Sequence, residues 1–176
     1  YPGTDPQREG ADMKKRAQRR FVRLLIAEDD EPRVQFFERC FRLAESRWQA
    51  ELGEDAPKIR HVWARNAGAA VGVLNRDPGR VYAGLMLDRD LTNQRLTAMD
   101  GHKTGEDVVE SVVSKVDRSV PVLVHSTNES GGPRMAHRLE GAGFDVTFVP
   151  FYNLEAPRLG EWLDEVLEAF LDAEEE

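Results

Sequence analysis

The chain has 176 residues, enough for one domain with a sizeable core, and 24 Lys and Arg against 32 Asp and Glu give a formal net charge of −8. This balance argues against general nucleic-acid binding, which needs a basic face. Cys40 is the single cysteine, which excludes an internal disulfide and a cysteine metal site. The apolar runs are too short for a membrane span and no signal-like segment opens the chain, so we expect a cytoplasmic protein.

Predicted strands alternate with predicted helices along the chain. Strands are predicted at residues 21–27, 58–64, 81–87, 120–125 and 146–149, where short apolar or alternating runs meet turn residues. Helices are predicted at 32–52, 67–75, 105–116, 133–142 and 159–171, where apolar residues recur at helical spacing. We expect one domain at 21–172, with a flexible N-terminal tail at 1–20 and an acidic C-terminal tail at 173–176.

This alternation predicts an α/β fold, because strands joined by helices pair in parallel through right-handed crossovers. We expect a doubly wound, five-stranded parallel sheet between two helix layers, a three-layer α/β/α domain. The strand order 2-1-3-4-5 is favoured, since strands one and three must be neighbours if the acidic residues that follow them are to meet.

Acidic side chains follow two of the predicted strands. Glu28, Asp29 and Asp30 come after the first strand, and Asp88 and Asp90 come after the third. Open α/β sheets bind ligands beyond the carboxyl ends of their strands, so these acids predict a shared cation or phosphate site there. Asp90 suits a helix or loop cap equally well.

Two loops carry further candidates for binding. Residues 92–104 form an unusually long connection, in which His102 and Lys103 could close over a ligand; a plain exposed loop is the alternative. Asn128 to Gly132 runs into a predicted helix start, where backbone N–H groups can bind phosphate or simply form a turn and cap.

Over residues 21–172 the pattern resembles a response-regulator receiver domain of the CheY-like superfamily. The matching residues are Glu28–Asp29, Asp88, Ser126–Thr127 and Pro150–Phe151, which follow strands one, three, four and five. The resemblance implies that Asp88 is the phosphoacceptor and that Ser126 donates a hydrogen bond to a phosphoryl oxygen, with Thr127 beside it. It also implies that Glu28, Asp29 and Asp88 hold Mg²⁺ with the carbonyl of Asp90. From their positions on the two loops, we expect Asn128 and Lys103 to contribute to phosphate binding.

Val149 departs from the receiver pattern. The family normally has a lysine just before the proline at the end of strand five, where it pairs with the acidic pocket and the bound phosphoryl group. A valine cannot make that ion pair. Lys103 and Arg89 are the candidates to replace it; without a replacement the chain is a pseudo-receiver that works independently of phosphorylation.

Three segments are similar to an atypical receiver subgroup proposed to process cyclic phosphates: residues 87–91, 104–109 and 124–135. The matches in the last segment are His125, Ser126, Asn128, Gly131, Gly132 and Met135. Arg89 stands where that subgroup often has His. This resemblance implies an alternative activity, a metal-assisted phosphoesterase with His125 or His102 as acid or base. Strand alternation points His125 toward a helix layer if Ser126 faces the pocket, where a hydrogen-bonded, half-buried histidine is the other interpretation.

The function we expect is that of an atypical receiver-type signalling domain of a phosphorelay. It would bind Mg²⁺ and be phosphorylated on Asp88 by a histidine kinase or phosphotransfer protein. Its output would pass through contacts with a downstream protein partner, with no nucleic acid, no membrane and no separate output domain. The sequence leaves homodimer formation open, and an enzyme acting on a substrate of its own is less favoured.

Overall fold

The computed structural model describes residues 21–91, 103–127 and 129–176. Its strands and helices alternate in the order β1 Phe21–Ala27, α1 Glu31–Leu52, β2 Lys58–Ala64, α2 Ala67–Arg76, β3 Gly84–Asp88, α3 Gly105–Lys115, β4 Val122–Ser126, α4 Gly131–Gly141, β5 Val146–Pro150 and α5 Ala156–Glu175. Every strand pairing is parallel, and the order across the sheet is β2-β1-β3-β4-β5. The predicted fold class and strand order are confirmed.

Two strands begin later than predicted. β3 begins at Gly84 rather than at residue 81. The chain bends before it, and Tyr82 turns its hydroxyl to donate to the Asp77 carboxylate at 2.8 Å. β4 begins at Val122 rather than at residue 120, because Pro121 has no N–H to give to the sheet.

Two helices begin two or three residues earlier than predicted. α4 starts at Gly131, so Pro133 lies in its first turn, where the missing N–H removes no helical hydrogen bond. α5 extends from Ala156 to Glu175, so most of the acidic segment after residue 172 is helical. No helix in the described part of the chain combines the length and apolar character needed to cross a membrane.

The sheet carries a separate hydrophobic core on each face, because successive side chains of a strand point to opposite faces. The first core lies against α1 and α5 and includes Leu24, Ile26, Met86, Leu123 and Val149. The second lies against α2, α3 and α4 and includes Leu25, Leu85, Leu87, Val122 and Val124. The same alternation places His125 and Ser126, the last two residues of β4, on opposite faces of the sheet.

Candidate metal centre at the carboxyl edge of the sheet

Three carboxylates meet where β1 and β3 end. Oxygen atoms of Glu28, Asp29 and Asp88 lie within 4.8 Å of one another, and we call this group the acidic pit. The convergence follows from the sheet, because β1 and β3 are neighbours and Ala27 is in register with Leu87. Glu28 is fully buried and Asp88 is 1% exposed. The structure therefore brings together three of the five acids that the sequence analysis selected.

Backbone N–H groups fix the orientation of both buried carboxylates. Glu28 Oε1 accepts hydrogen bonds from the backbone N of Asp29 and of Asp30, each at 2.9 Å. Asp88 Oδ1 accepts one from the backbone N of Asp90 at 3.1 Å. The indole of Trp63 on β2 donates to the Glu28 carbonyl at 2.6 Å, which ties the end of β1 to its neighbour. Backbone N–H groups thus hold one oxygen of each buried carboxylate, Glu28 Oε1 and Asp88 Oδ1.

Arg33, in the first turn of α1, is the cation of the pit. Its Nη1 lies 3.4 Å from both Glu28 Oε1 and Asp88 Oδ2. Its Nε lies 3.2 Å from Asp30 Oδ2, and its guanidinium stacks over the Phe151 ring at 4.5 Å. The guanidinium is thereby held from both sides while it bridges the two buried acids.

Sequence reasoning missed Arg33 and favoured other cations. The signal was present: Arg33 stands three residues after Asp30, a spacing that places the two side chains together on a helix. The predicted substitutes lie elsewhere. Lys103 is exposed to solvent, and the nearest acid to Arg89 in the described structure is Asp90, with Nη1 and Oδ1 3.9 Å apart. A role for Lys103 in phosphate binding stays a prediction.

Burial makes the two inner acids hard to ionise. It raises the pKa of Glu28 to about 8, and the neighbouring Asp88 charge adds to the rise while Arg33 opposes it. Burial likewise raises the pKa of Asp88 to about 7, against the effects of the Asp90 hydrogen bond and of Arg33. Removing carboxylates from water and crowding them both disfavour negative charge. A bound cation would reverse that preference, so the electrostatics of the pit favour a positive ion.

His125 completes the buried wall of the pit. It is in register with Asp88 across β3 and β4, is fully buried, and places Nδ1 3.4 Å from Glu28 Oε2. Its ring packs edge-on against Phe37 of α1, with centroids 5.1 Å apart. The residue points to a helix layer, as strand alternation predicts, and this layer also holds the pit. Among the described residues neither ring nitrogen has a hydrogen-bond partner, so the interpretation of a half-buried, hydrogen-bonded histidine is wrong.

The surroundings keep the His125 ring neutral. Burial lowers its pKa to about 3, and the nearby positive charge of Arg33 lowers it further. A neutral imidazole has one N–H and one bare nitrogen. The contact of His125 Nδ1 with Glu28 Oε2 is therefore not a charged ion pair.

The remaining predicted site residues lie around the pit. Ser126 is buried at the end of β4 on the opposite face, where a Cβ added to Gly132 of α4 would be 3.1 Å from its own Cβ. Thr127 is exposed. The Asp90 carboxylate is not among the clustered oxygens of the pit, and the role of its carbonyl stays a prediction. Asn128 and His102 lie outside the described residues.

A family model described as "Cyclic-phosphate processing Receiver domain" matches residues 23–141, more than half of the chain. The chain belongs to this family of receiver domains. Among solved structures the receiver domain is similar to the response regulator domain of Thermotoga maritima CheB, with 15% sequence identity and a TM-score of 0.49. That match covers 86% of this chain and 97% of the other. A search of curated proteins found no match.

In this receiver domain the wall of the pit carries Val149 instead of the usual lysine. Val149 is 3% exposed and lies beside His125 in the pairing of β4 with β5. The two side chains share the face that packs against α1 and α5. Val149 and the neutral ring of His125 thus occupy this wall. The positive charge near the acids is that of Arg33 on α1.

Proposed function

We propose that this receiver domain binds Mg²⁺ in the acidic pit and accepts a phosphoryl group on Asp88. The donor would be a histidine kinase or a phosphotransfer protein. The observation that carries the proposal is the convergence of Glu28, Asp29 and Asp88, with oxygen atoms within 4.8 Å of one another. Output would pass through protein contacts, and the cytoplasmic location stays a prediction.

The residues of the pit fit Mg²⁺. The ion prefers oxygen ligands and is usually held by one or two carboxylates together with water and substrate oxygens. Glu28 Oε2 is buried and accepts no hydrogen bond from the described residues, so it is a ligand atom in need of a partner. Glu28, Asp29 and Asp88 would hold the ion, with the Asp90 carbonyl as a further ligand. When bound, the ion supplies positive charge that offsets the crowded carboxylates and attracts phosphoryl oxygens.

Asp88 has the chemistry of a phosphoacceptor. Its carboxylate oxygen attacks phosphorus, forming an O–P bond as the N–P bond of a phosphohistidine donor breaks and the imidazole leaves. Arg33 Nη1 is 3.4 Å from Asp88 Oδ2 and can turn to donate to the transferred phosphoryl oxygens. Ser126, which ends β4 on the other face of the sheet, is the hydroxyl donor that we propose, and it would reach the phosphoryl group over the edge of the sheet.

Phosphorylation can be tested with a small phosphodonor. The chain is incubated with Mg²⁺ and acetyl phosphate and its intact mass is measured. We expect a gain of one phosphoryl group, absent without Mg²⁺ and absent in Asp88→Asn. Asp172→Asn, an exposed aspartate of α5 outside the pit, is the matched control and should keep the gain. A wild-type chain that never gains mass, although it binds Mg²⁺, would contradict the proposal.

A metal-assisted phosphoesterase acting on a cyclic phosphate is the second candidate. It is supported by the description of the matching family and by the position of His125 beside Glu28. The burial that keeps His125 neutral also makes it a weak base, which is why this candidate ranks second. Hydrolysis of a cyclic mononucleotide without any mass gain would favour it. If neither reaction occurs, the pseudo-receiver suggested by Val149 remains.

A further inference from the structure

A second charged site lies beside the pit, on the other face of the sheet. Between α3 and α4 is a cleft of about 140 Å³ lined by three arginines together with acidic, apolar and glycine residues. We call it the arginine cleft; its lining includes Arg89, Arg134, Arg138, Glu106, Gly131 and Met135.

The cleft and the pit are adjacent because consecutive residues at the end of β3 belong to them. Arg89 directly follows Asp88, so their Cα atoms are about 3.8 Å apart, and Arg89 lines the cleft whereas Asp88 belongs to the pit. The start of α3 packs on the same backbone, because a Cβ at Gly105 would be 2.7 Å from the Arg89 carbonyl oxygen. The cleft is thus fixed to the end of β3, one residue from the proposed phosphoacceptor.

The arginines of the cleft can bind an anion, although the net charge of the chain is −8. Arg134 is exposed and, within the described ranges, makes no ion pair. Arg138 pairs with Glu110, and Arg89 Nη1 lies 3.9 Å from Asp90 Oδ1. Exposed ion pairs contribute little stability, so both of these arginines can turn to a stronger anion. Of the charged side chains that line the cleft, three are arginines and one, Glu106, is acidic.

We propose that the arginine cleft is an anion subsite that holds a phosphate group of a small-molecule ligand next to Asp88. Guanidinium groups match phosphate oxygens with paired N–H donors, which favours this anion over chloride. The volume of about 140 Å³ is well above what one water molecule needs. It is below the roughly 300–1,000 Å³ of pockets that enclose whole ligands, so the cleft suits a single anionic group. Phosphate binding in the cleft does not depend on the proposed function; only the role of Asp88 as phosphoacceptor rests on it.

The subsite is tested by titrating the full chain with inorganic phosphate, without Mg²⁺ and at constant ionic strength, while amide NMR shifts are followed. We expect saturable shifts at Arg89, Gly131 and Arg134 that chloride does not reproduce. Arg134→Gln should weaken phosphate binding by about tenfold, and Arg134→Lys should weaken it less, since charge remains while the paired donors are lost.

Arg158→Gln is the matched control for the Arg134 variants. Both arginines are exposed and follow a proline in the first turn of a helix, but Arg158 belongs to α5, outside the cleft. We expect this variant to bind phosphate as the wild type does. Equal binding by Arg134→Gln and wild type, or an equal loss in Arg158→Gln, would overturn the subsite.

Asp88→Asn separates this inference from the proposed function. This variant cannot be phosphorylated, yet it should still bind phosphate in the cleft, because its arginines are intact and one nearby negative charge is gone. Loss of phosphate binding in Asp88→Asn would show that the cleft is not a separate subsite. A wild-type chain that binds phosphate in the cleft but never gains a phosphoryl group would refute only the proposed function.

Discussion

The acidic pit and the arginine cleft are neighbours, since Asp88 belongs to the pit and Arg89 lines the cleft. The pit is acidic and buried, whereas the cleft is rich in arginine and open to solvent. Asp88 is 1% exposed, whereas the Arg89 side chain is 26% exposed. The pit is buried, so its carboxylates lose hydration and their pKa values rise. The cleft is open to solvent, which screens its charges. Burial, more than the number of charges, decides how strongly each site couples to the stability of the fold.

Removing the cation of the pit should have the largest effect. Arg33→Met leaves Glu28 and Asp88 buried without their shared partner, and because both acids can take up a proton instead, the loss at pH 8 is on the order of 2 kcal/mol. Urea unfolding at pH 8 measures the loss, which should shrink at pH 6.5, where the acids stay protonated. Arg39→Met, an exposed change in the same helix, is the control. Equal midpoints for the two variants would contradict a buried role for Arg33.

Raising the pH should destabilise the metal-free protein. The unfolded carboxyls of Glu28 and Asp88 ionise near pH 4, but their folded pKa values are about 8 and 7. Between those limits the folded state binds more protons, so its stability falls by on the order of 2 kcal/mol from pH 6.5 to 8. The lowered pKa of His125 acts in the opposite sense, but only below about pH 6.5.

Urea unfolding across this pH range checks the expected decrease. Glu28→Gln removes the group with the higher pKa and should flatten most of the pH dependence. A slope that is the same in the variant and the wild type would show that Glu28 does not ionise with the raised pKa described above.

Magnesium should stabilise the pit by a smaller amount. At ten times its dissociation constant, a ligand of the folded state alone adds about 1.4 kcal/mol to the free energy of unfolding. The gain should be larger at pH 8 than at pH 6.5, because protons compete for the same oxygens. Glu28→Gln should lose the gain, and Glu31→Gln, an exposed change in the first turn of α1, should keep it. Retention of the full gain in Glu28→Gln would exclude this residue as a ligand.

Changing the cleft should have the smallest effect on stability. Arg134→Gln removes one positive charge, as Arg33→Met does, but from an exposed position. We expect a change within about 0.5 kcal/mol, as for most surface substitutions. Thermal unfolding of the two variants side by side checks the contrast. A large loss in Arg134→Gln would mean that the cleft supports the fold.

The fold and the position of the pit could be predicted because local patterns determine them. The bounds of β1 and β2 were correct, since both runs end at clear turn residues. Parallel neighbours end at the same edge, so the meeting of Glu28 with Asp88 followed from the strand order.

Arg33 and the arginine cleft depend on how helices pack, which local patterns do not determine. The apolar spacing of α1 predicts its buried face but not that its first turn reaches over β3. The sequence pattern places His125 in a buried strand. Its contact with Glu28 depends on the register between neighbouring strands, which the pattern does not give. The cleft forms only where α3 and α4 lie side by side next to Arg89. These three parts of the chain are separated in sequence, so no local pattern indicates that they meet.

The hydrogen bond from Trp63 to the Glu28 carbonyl gives the protein an optical reporter. Trp63 is half-buried, whereas Trp48 and Trp162 are each 1% exposed in the core. Because its indole N–H touches the residue that anchors the pit, its fluorescence emission should respond when an ion alters the charge there. Trp63→Phe would silence that signal while leaving the other two fluorophores as an internal reference.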